Sequence, residues 1–133
     1  MLARFESLAW DAVTEAGGRV VKLIGDEAMF VCPSAAEAAR GAIDIVRACA
    51  AGDLPPARGG LALGPLLSRD GDYFGPAVNL ASRLVDRADP GTVIADARFR
   101  EELDDHAAFA AEQMPARTLK GIGSVPLWRL TTV

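Results

Sequence analysis

Apolar residues recur at helical spacing from the start of the chain. Leu2, Phe5, Leu8, Ala9, Ala12 and Val13 share one face, and Gly17-Gly18 ends the helix. The period then changes. Apolar runs over residues 20–24 and 28–31 flank Gly25-Asp26-Glu27, which predicts a β-hairpin with two carboxylates at its tip. Ser34-Ala-Ala-Glu37 is a capping box opening an Ala-rich helix, with Ala42, Ile43, Val46 and Ala50 on its apolar face. Gly52-Asp53 and Pro55-Pro56 close it. Arg58–Leu63 and Leu66–Arg69 read as two strands joined through Gly64-Pro65, with Asp70-Gly71 as a turn. Pro76 suits the first turn of a helix running to Ala88, its apolar side carrying Val78, Ala81, Leu84 and Val85. Asp89-Pro90-Gly91 ends that helix. Thr92–Ala95 reads as a short buried strand, and Asp96 caps a charged helix through Leu103. One strand within Ala107–Leu119 and another over Val125–Leu130 complete the pattern.

The order α-β-β-α-β-β-α-β-α-β-β predicts an α+β sandwich, with helices covering an antiparallel or mixed sheet. No strand precedes the first helix, so the pattern reads as one that starts mid-domain.

Composition narrows the function classes. At 133 residues the chain is one domain or part of one. Half of it is hydrophobic and only 6% is aromatic, which predicts an aliphatic core. The net charge is −4 and no basic stripe with interleaved aromatics occurs, which argues against nucleic-acid binding. Cys32 and Cys49 fit neither a metal motif nor a disulfide framework, so a reduced, cytoplasmic setting is expected. His106, in Asp104-Asp105-His106, is expected to be solvated. No apolar run reaches the length of a membrane span, and no signal-peptide core follows Met1-Leu2-Ala3-Arg4. There is no internal repeat and no low-complexity linker.

The candidate chemistry lies at a few positions. Asp26, at the hairpin tip, offers hard oxygen suited to Mg²⁺ or Mn²⁺, although Gly-Asp is also an ordinary turn pair. Lys22 interrupts a strand that otherwise looks buried. Alternation places it with Val20 and Ile24. It is either a donor to a base edge or phosphate, or a strand-edge lysine reaching solvent. Asp72 precedes Tyr73-Phe74-Gly75-Pro76, and is either aimed into an aromatic-walled pocket or one more loop aspartate. Asn79 and Arg83, four apart on the Pro76 helix, form a fork of donors suited to phosphate oxygens. Taken singly, each reads as a helix-surface residue. Lys120 sits in Leu119-Lys-Gly-Ile-Gly, a loop that lets a cation approach a phosphate.

In this order the segments resemble the class III nucleotidyl cyclase catalytic domain, the adenylate and guanylate cyclase family. The resemblance rests on Val21-Lys-Leu-Ile-Gly-Asp26, on Asp72-Tyr-Phe-Gly-Pro-Ala-Val-Asn79-Leu-Ala-Ser-Arg83-Leu, and on Leu119-Lys120-Gly-Ile-Gly-Ser-Val-Pro-Leu. It covers essentially the whole chain and is strongest toward bacterial adenylate cyclases of the actinobacterial kind. It implies a ferredoxin-like, palm-type fold and the conversion of ATP to cyclic AMP and pyrophosphate with Mg²⁺ or Mn²⁺, two ions per site. It implies that Asp26 binds metal, that Lys22 and Asp72 recognise adenine, and that Asn79 and Arg83 orient the ribose and stabilise the transition state. Lys120 would hold the terminal phosphates, and Glu27 matches no catalytic position. The implied site forms across a head-to-tail homodimer, Asp26 of one chain acting with the other residues of the second.

The family domain begins with a central strand carrying a second metal aspartate. Residues 1–133 therefore read as one partial catalytic domain, lacking that first strand and one metal ligand, and are expected to be poorly active or inactive alone. The competing reading is a non-catalytic, cyclase-like module that binds nucleotide or dimerises. A diguanylate cyclase shares a similar hairpin tip, but the Asn79/Arg83 helix does not fit it.

Overall fold

The computed structural model describes residues 2–103 and 106–133. Helix α1 (Leu2–Glu15) buries Ala9, Ala12 and Val13, the stripe its periodicity predicts. Strands β1 (Arg19–Ile24) and β2 (Glu27–Val31) form the expected antiparallel hairpin through Gly25-Asp26. Helix α2 (Ala35–Ala51) opens on a reciprocal cap. The Glu37 amide donates to Ser34 Oγ at 3.2 Å, and Ser34 Oγ donates to Glu37 Oε1 at 2.9 Å. Then come β3 (Gly59–Leu61), β4 (Leu67–Arg69), β5 (Asp72–Phe74), α3 (Pro76–Arg87), β6 (Val93–Asp96), α4 (Ala97–Leu103), β7 (Phe109–Leu119) and β8 (Gly123–Thr132). Asp96 caps α4 as expected, accepting from the Phe99 amide at 3.1 Å. Burial raises the Asp96 carboxyl above its ordinary range, against hydrogen bonds that lower it.

The main sheet is mixed, in the order β3-β6-β8-β7, with β3 and β6 parallel and the other pairs antiparallel. Strand alternation divides its two faces. Val93 and Ala95 join the core under α2 and α4, with Phe99 and Leu130. Ile94 faces the other way and packs with Leu84 of α3, Leu119 and Leu127. A third cluster joins α1 to α2 and to the hairpin through Val20, Ala28 and Phe30. Gly60 lets α3 settle on β3. A Cβ there would stand 2.7 Å from both the Ala81 carbonyl oxygen and the Val85 nitrogen.

Four expectations need correction. The Leu66–Arg69 segment does not pair with β3. It pairs with β5, a strand the sequence reading missed, because Asp70 (φ 52°) and Gly71 (φ 80°) make a tight turn that folds the chain straight back. The strand predicted over Arg58–Leu63 is correspondingly short. Strand β1 is not buried: Lys22 is exposed and Ile24 is 59% exposed. The predicted shared face of Val20, Lys22 and Ile24 also fails. Val20 opposes Phe30 and Lys22 opposes Met29, so Val21 is an extra residue, a β-bulge. Val20 turns into the core while Lys22 and Ile24 face a cleft.

His106 is exposed and its ring lies 5.2 Å from that of Phe109. Asp104 and Asp105, the acidic pair before it, lie outside the described residues. Among the described residues no helix is long and apolar enough to cross a membrane. The β1–β2 hairpin and the β4–β5 hairpin each form a separate two-stranded sheet among the described residues.

Candidate active site

The hairpin, β3 and α3 enclose a cleft of about 430 Å³. Lys22, Ile24 and Met29 line its hairpin side. Asn79, Ser82 and Val85 line its α3 side. The predicted apolar side of α3 thus divides: Leu84 is fully buried against the sheet, whereas Val78, Ala81 and Val85 are partly exposed in the cleft.

Lys22 and Asp72, fifty positions apart, meet at the edge of this cleft, with Nζ 2.9 Å from Oδ2. The lysine comes from the bulged strand and the aspartate from the residue after the tight turn. Asp72 Oδ1 also accepts from the Tyr73 amide at 2.8 Å. The Lys22 hydrogen bond and then the Tyr73 amide hold the Asp72 carboxyl below its ordinary range, because both favour the charged form. A second contact lies alongside. Arg19 Nη2 donates to the Tyr73 hydroxyl, and its guanidinium carbon stands 5.2 Å from the centre of that ring.

The remaining predicted residues lie apart. Arg83 shares the Asn79 face of α3 but does not line the cleft. Its guanidinium is 3.9 Å from Asp86 Oδ2. Asp26 is exposed at the hairpin tip and lines a different cleft of about 310 Å³, beside Phe5, Leu54 and Arg58. Glu27 lines both clefts. Lys120 is exposed in the turn between β7 and β8 and lines neither. A third cleft, about 520 Å³, contains Arg58, Arg87 and Arg117 and none of the predicted residues. Arg117 is already engaged there, by the Arg87 carbonyl and by Asp89 at 3.5 Å.

One chain therefore joins Lys22 to Asp72 at the edge of a cleft that Lys22 and Asn79 line, and leaves Asp26, Arg83 and Lys120 outside that cleft. Among the described residues no three His, Cys, Asp or Glu side chains converge as a metal site. Burial and the Glu37 carboxylate push the Cys32 thiol up to about 11, which leaves it protonated and weakly nucleophilic at neutral pH. The sequence reading overlooked Arg19, and took Tyr73 only as part of an aromatic pocket wall. Arg19 and Lys22 are an odd number of positions apart, so plain alternation puts them on opposite faces, and only the bulge brings them to one.

No family model matches the sequence. The chain is 36% identical over 132 residues to an adenylate cyclase of Glutamicibacter nicotianae, covering 98% of this chain and 33% of that protein. It is 34% identical over 158 residues to an adenylate cyclase of Streptomyces coelicolor, covering 98% and 42%. The chain thus spans between a third and a half of these relatives. Its fold superposes on an adenylate/guanylate cyclase/hydrolase from Silicibacter pomeroyi with a TM-score of 0.83, at 27% identity, over 96% of this chain and 78% of the other. The catalytic core of a rhodopsin-guanylyl cyclase with converted specificity, in complex with ATPalphaS, superposes with a TM-score of 0.82 at 22% identity, over 98% and 80%, a likeness of fold alone. In sequence and fold together the chain is similar to the catalytic domains of the class III adenylate and guanylate cyclases. Both of the sequence relatives described above are bacterial adenylate cyclases.

Proposed function

We propose that this domain converts ATP to 3′,5′-cyclic AMP and pyrophosphate at a site shared by two copies of the chain. The observation that carries the reading is the Lys22–Asp72 pair beside the cleft that holds Asn79. The adenine edge offers an acceptor, N1, next to a donor, the N6 amine. An ammonium and a carboxylate side by side match that order. Guanine reverses it, presenting N1–H and O6, so the same pair would leave like groups facing each other.

Asn79, on the opposite wall, is placed to hydrogen-bond the ribose. Arg83, one turn further along α3, would meet charge developing on the α-phosphate as the 3′-hydroxyl attacks in line and pyrophosphate leaves. Lys120 would neutralise the terminal phosphates. Asp26 lies in the other cleft, which supports a head-to-tail dimer in which it serves its partner's nucleotide.

Mg²⁺ or Mn²⁺ fits Asp26 as a single carboxylate ligand completed by substrate phosphates, and not as a free-standing ion. Two ions at such a site would acidify the attacking hydroxyl and clamp the phosphates.

The test is cyclic AMP formation from ATP with Mn²⁺, followed by chromatography. Turnover is expected to saturate only at high Mn²⁺ and to fall about 100-fold or more in Asp26→Ala and in Arg83→Ala, as when a transition-state contact is removed. Lys22→Glu with Asp72→Cys should abolish the preference for ATP over GTP. An unchanged preference would remove both residues from the site.

The lack of a convergent ligand trio among the described residues favours one other reading, a nucleotide-binding or dimerising module without turnover. Calorimetric ATP binding with no cyclic AMP at saturating Mn²⁺ would select it.

A further inference from the structure

The β4–β5 hairpin belongs to neither of the other sheets, and it touches the β1–β2 hairpin through β1 and β5. Two side-chain pairs cross that contact: Lys22 with Asp72, and Arg19 with Tyr73. The bulge sets both pairs. Arg19 opposes Val31 and Lys22 opposes Met29, two alternate positions of β2, so the two cations share one face of β1 despite their odd spacing.

We propose that Arg19 is a positioning residue for base recognition, acting through Tyr73 to hold β5 against β1 so that the Asp72 carboxylate stands beside Lys22. The inference rests on the adenine reading of Lys22 and Asp72. Arg19 itself does not line the cleft. Its guanidinium both donates to the Tyr73 hydroxyl and lies near the ring, which fixes the ring's direction as well as its distance. Tyr73 is the next residue to Asp72, and its amide holds Asp72 Oδ1. Displacing Tyr73 therefore moves the carboxylate directly. Without the clamp, Lys22 and Asp72 could still pair in water, but their spacing and order toward a base would no longer be fixed.

The experiment is calorimetric titration of the whole chain with ATP and with GTP, reading the ratio of the two affinities. Arg19→Ala and Tyr73→Phe should each lower the ATP:GTP ratio about 3- to 10-fold, the size of an ordinary net hydrogen-bond contribution. The double variant should lose no more than the worse single one, because both substitutions break the same contact. Arg19→Lys, which can still donate to the hydroxyl, should recover part of the ratio. Arg47→Ala removes a comparable side-chain bond between α2 and Thr132 and should leave the ratio unchanged, which separates positioning from general stability.

A wild-type ratio in Arg19→Ala and Tyr73→Phe, while Lys22→Glu with Asp72→Cys collapses it, would overturn the role of Arg19 alone. An unchanged ratio in Lys22→Glu with Asp72→Cys, or no nucleotide binding by the parent chain, would bring down the base reading and this inference with it. Tyr73→Phe deletes a single oxygen and keeps the ring, so it carries the test if Arg19→Ala does not fold.

Discussion

Asp72 accepts from a lysine fifty positions away and from the amide of its own neighbour. Because both bonds favour the ionised carboxylate, acid should loosen the β1–β5 contact in one direction only. The group's value is lower folded than unfolded, so its contribution is complete above the unfolded carboxylate value near about pH 4 and is lost as pH falls through the lower folded value. Between pH 5 and 3 the urea midpoint of the parent chain is expected to drop more steeply than that of Asp72→Asn, and parallel slopes would refute this. Lys22 was legible in the sequence as a lysine out of place in an apolar run, whereas Asp72 alone read as one more loop aspartate and gained a role only from the family resemblance. Their contact was not legible, because spacing along the chain carries no information on which loop returns to which strand.

At the level of elements, helices and hairpin turns were the most legible parts. The stripe of α1, the capping box of α2 and the Gly25-Asp26 turn depend on neighbours within a few positions, and all three form as expected. Strand pairing failed where it depended on distant segments. Gly64-Pro65 read as a join between two strands, with their partners left open. It instead separates β3, held parallel by β6, from β4, held by β5. The seat of α3 was also hidden, because a glycine in a strand pattern does not announce what approaches it. Gly60→Ala would place a methyl against the α3 backbone, which cannot rotate away as a side chain can. It is expected to lower stability by about 1–3 kcal/mol, read from the urea midpoint at constant slope. A cost near zero would mean that α3 can withdraw from β3 freely.

The distribution of site residues over the whole molecule sets how activity should depend on assembly. Asp26 faces one cleft, and Lys22 and Asn79 face another. In a head-to-tail dimer, a chain lacking Asp26 and a chain lacking Asn79 can together rebuild one intact site. Equal mixtures of Asp26→Ala and Asn79→Ala are therefore expected to recover about a quarter of parental turnover, the share given by random pairing in a two-fold dimer. Turnover per chain should also fall on dilution below the dimer dissociation constant. Mixtures as silent as either variant alone would place all the residues of one site in one chain. The bulge in β1 has a different kind of consequence. Val21 contributes a count rather than a chemistry: the ladder skips it, so Arg19 and Lys22 stay on one side of the ribbon and Val20 in the core as if the three were consecutive. Exchange of Val21 for another β-forming residue leaves that order intact, and so does its deletion, which makes Arg19, Val20 and Lys22 consecutive with the same partners and the same faces. In a library of variants the position would look permissive to substitution and to a one-codon loss alike.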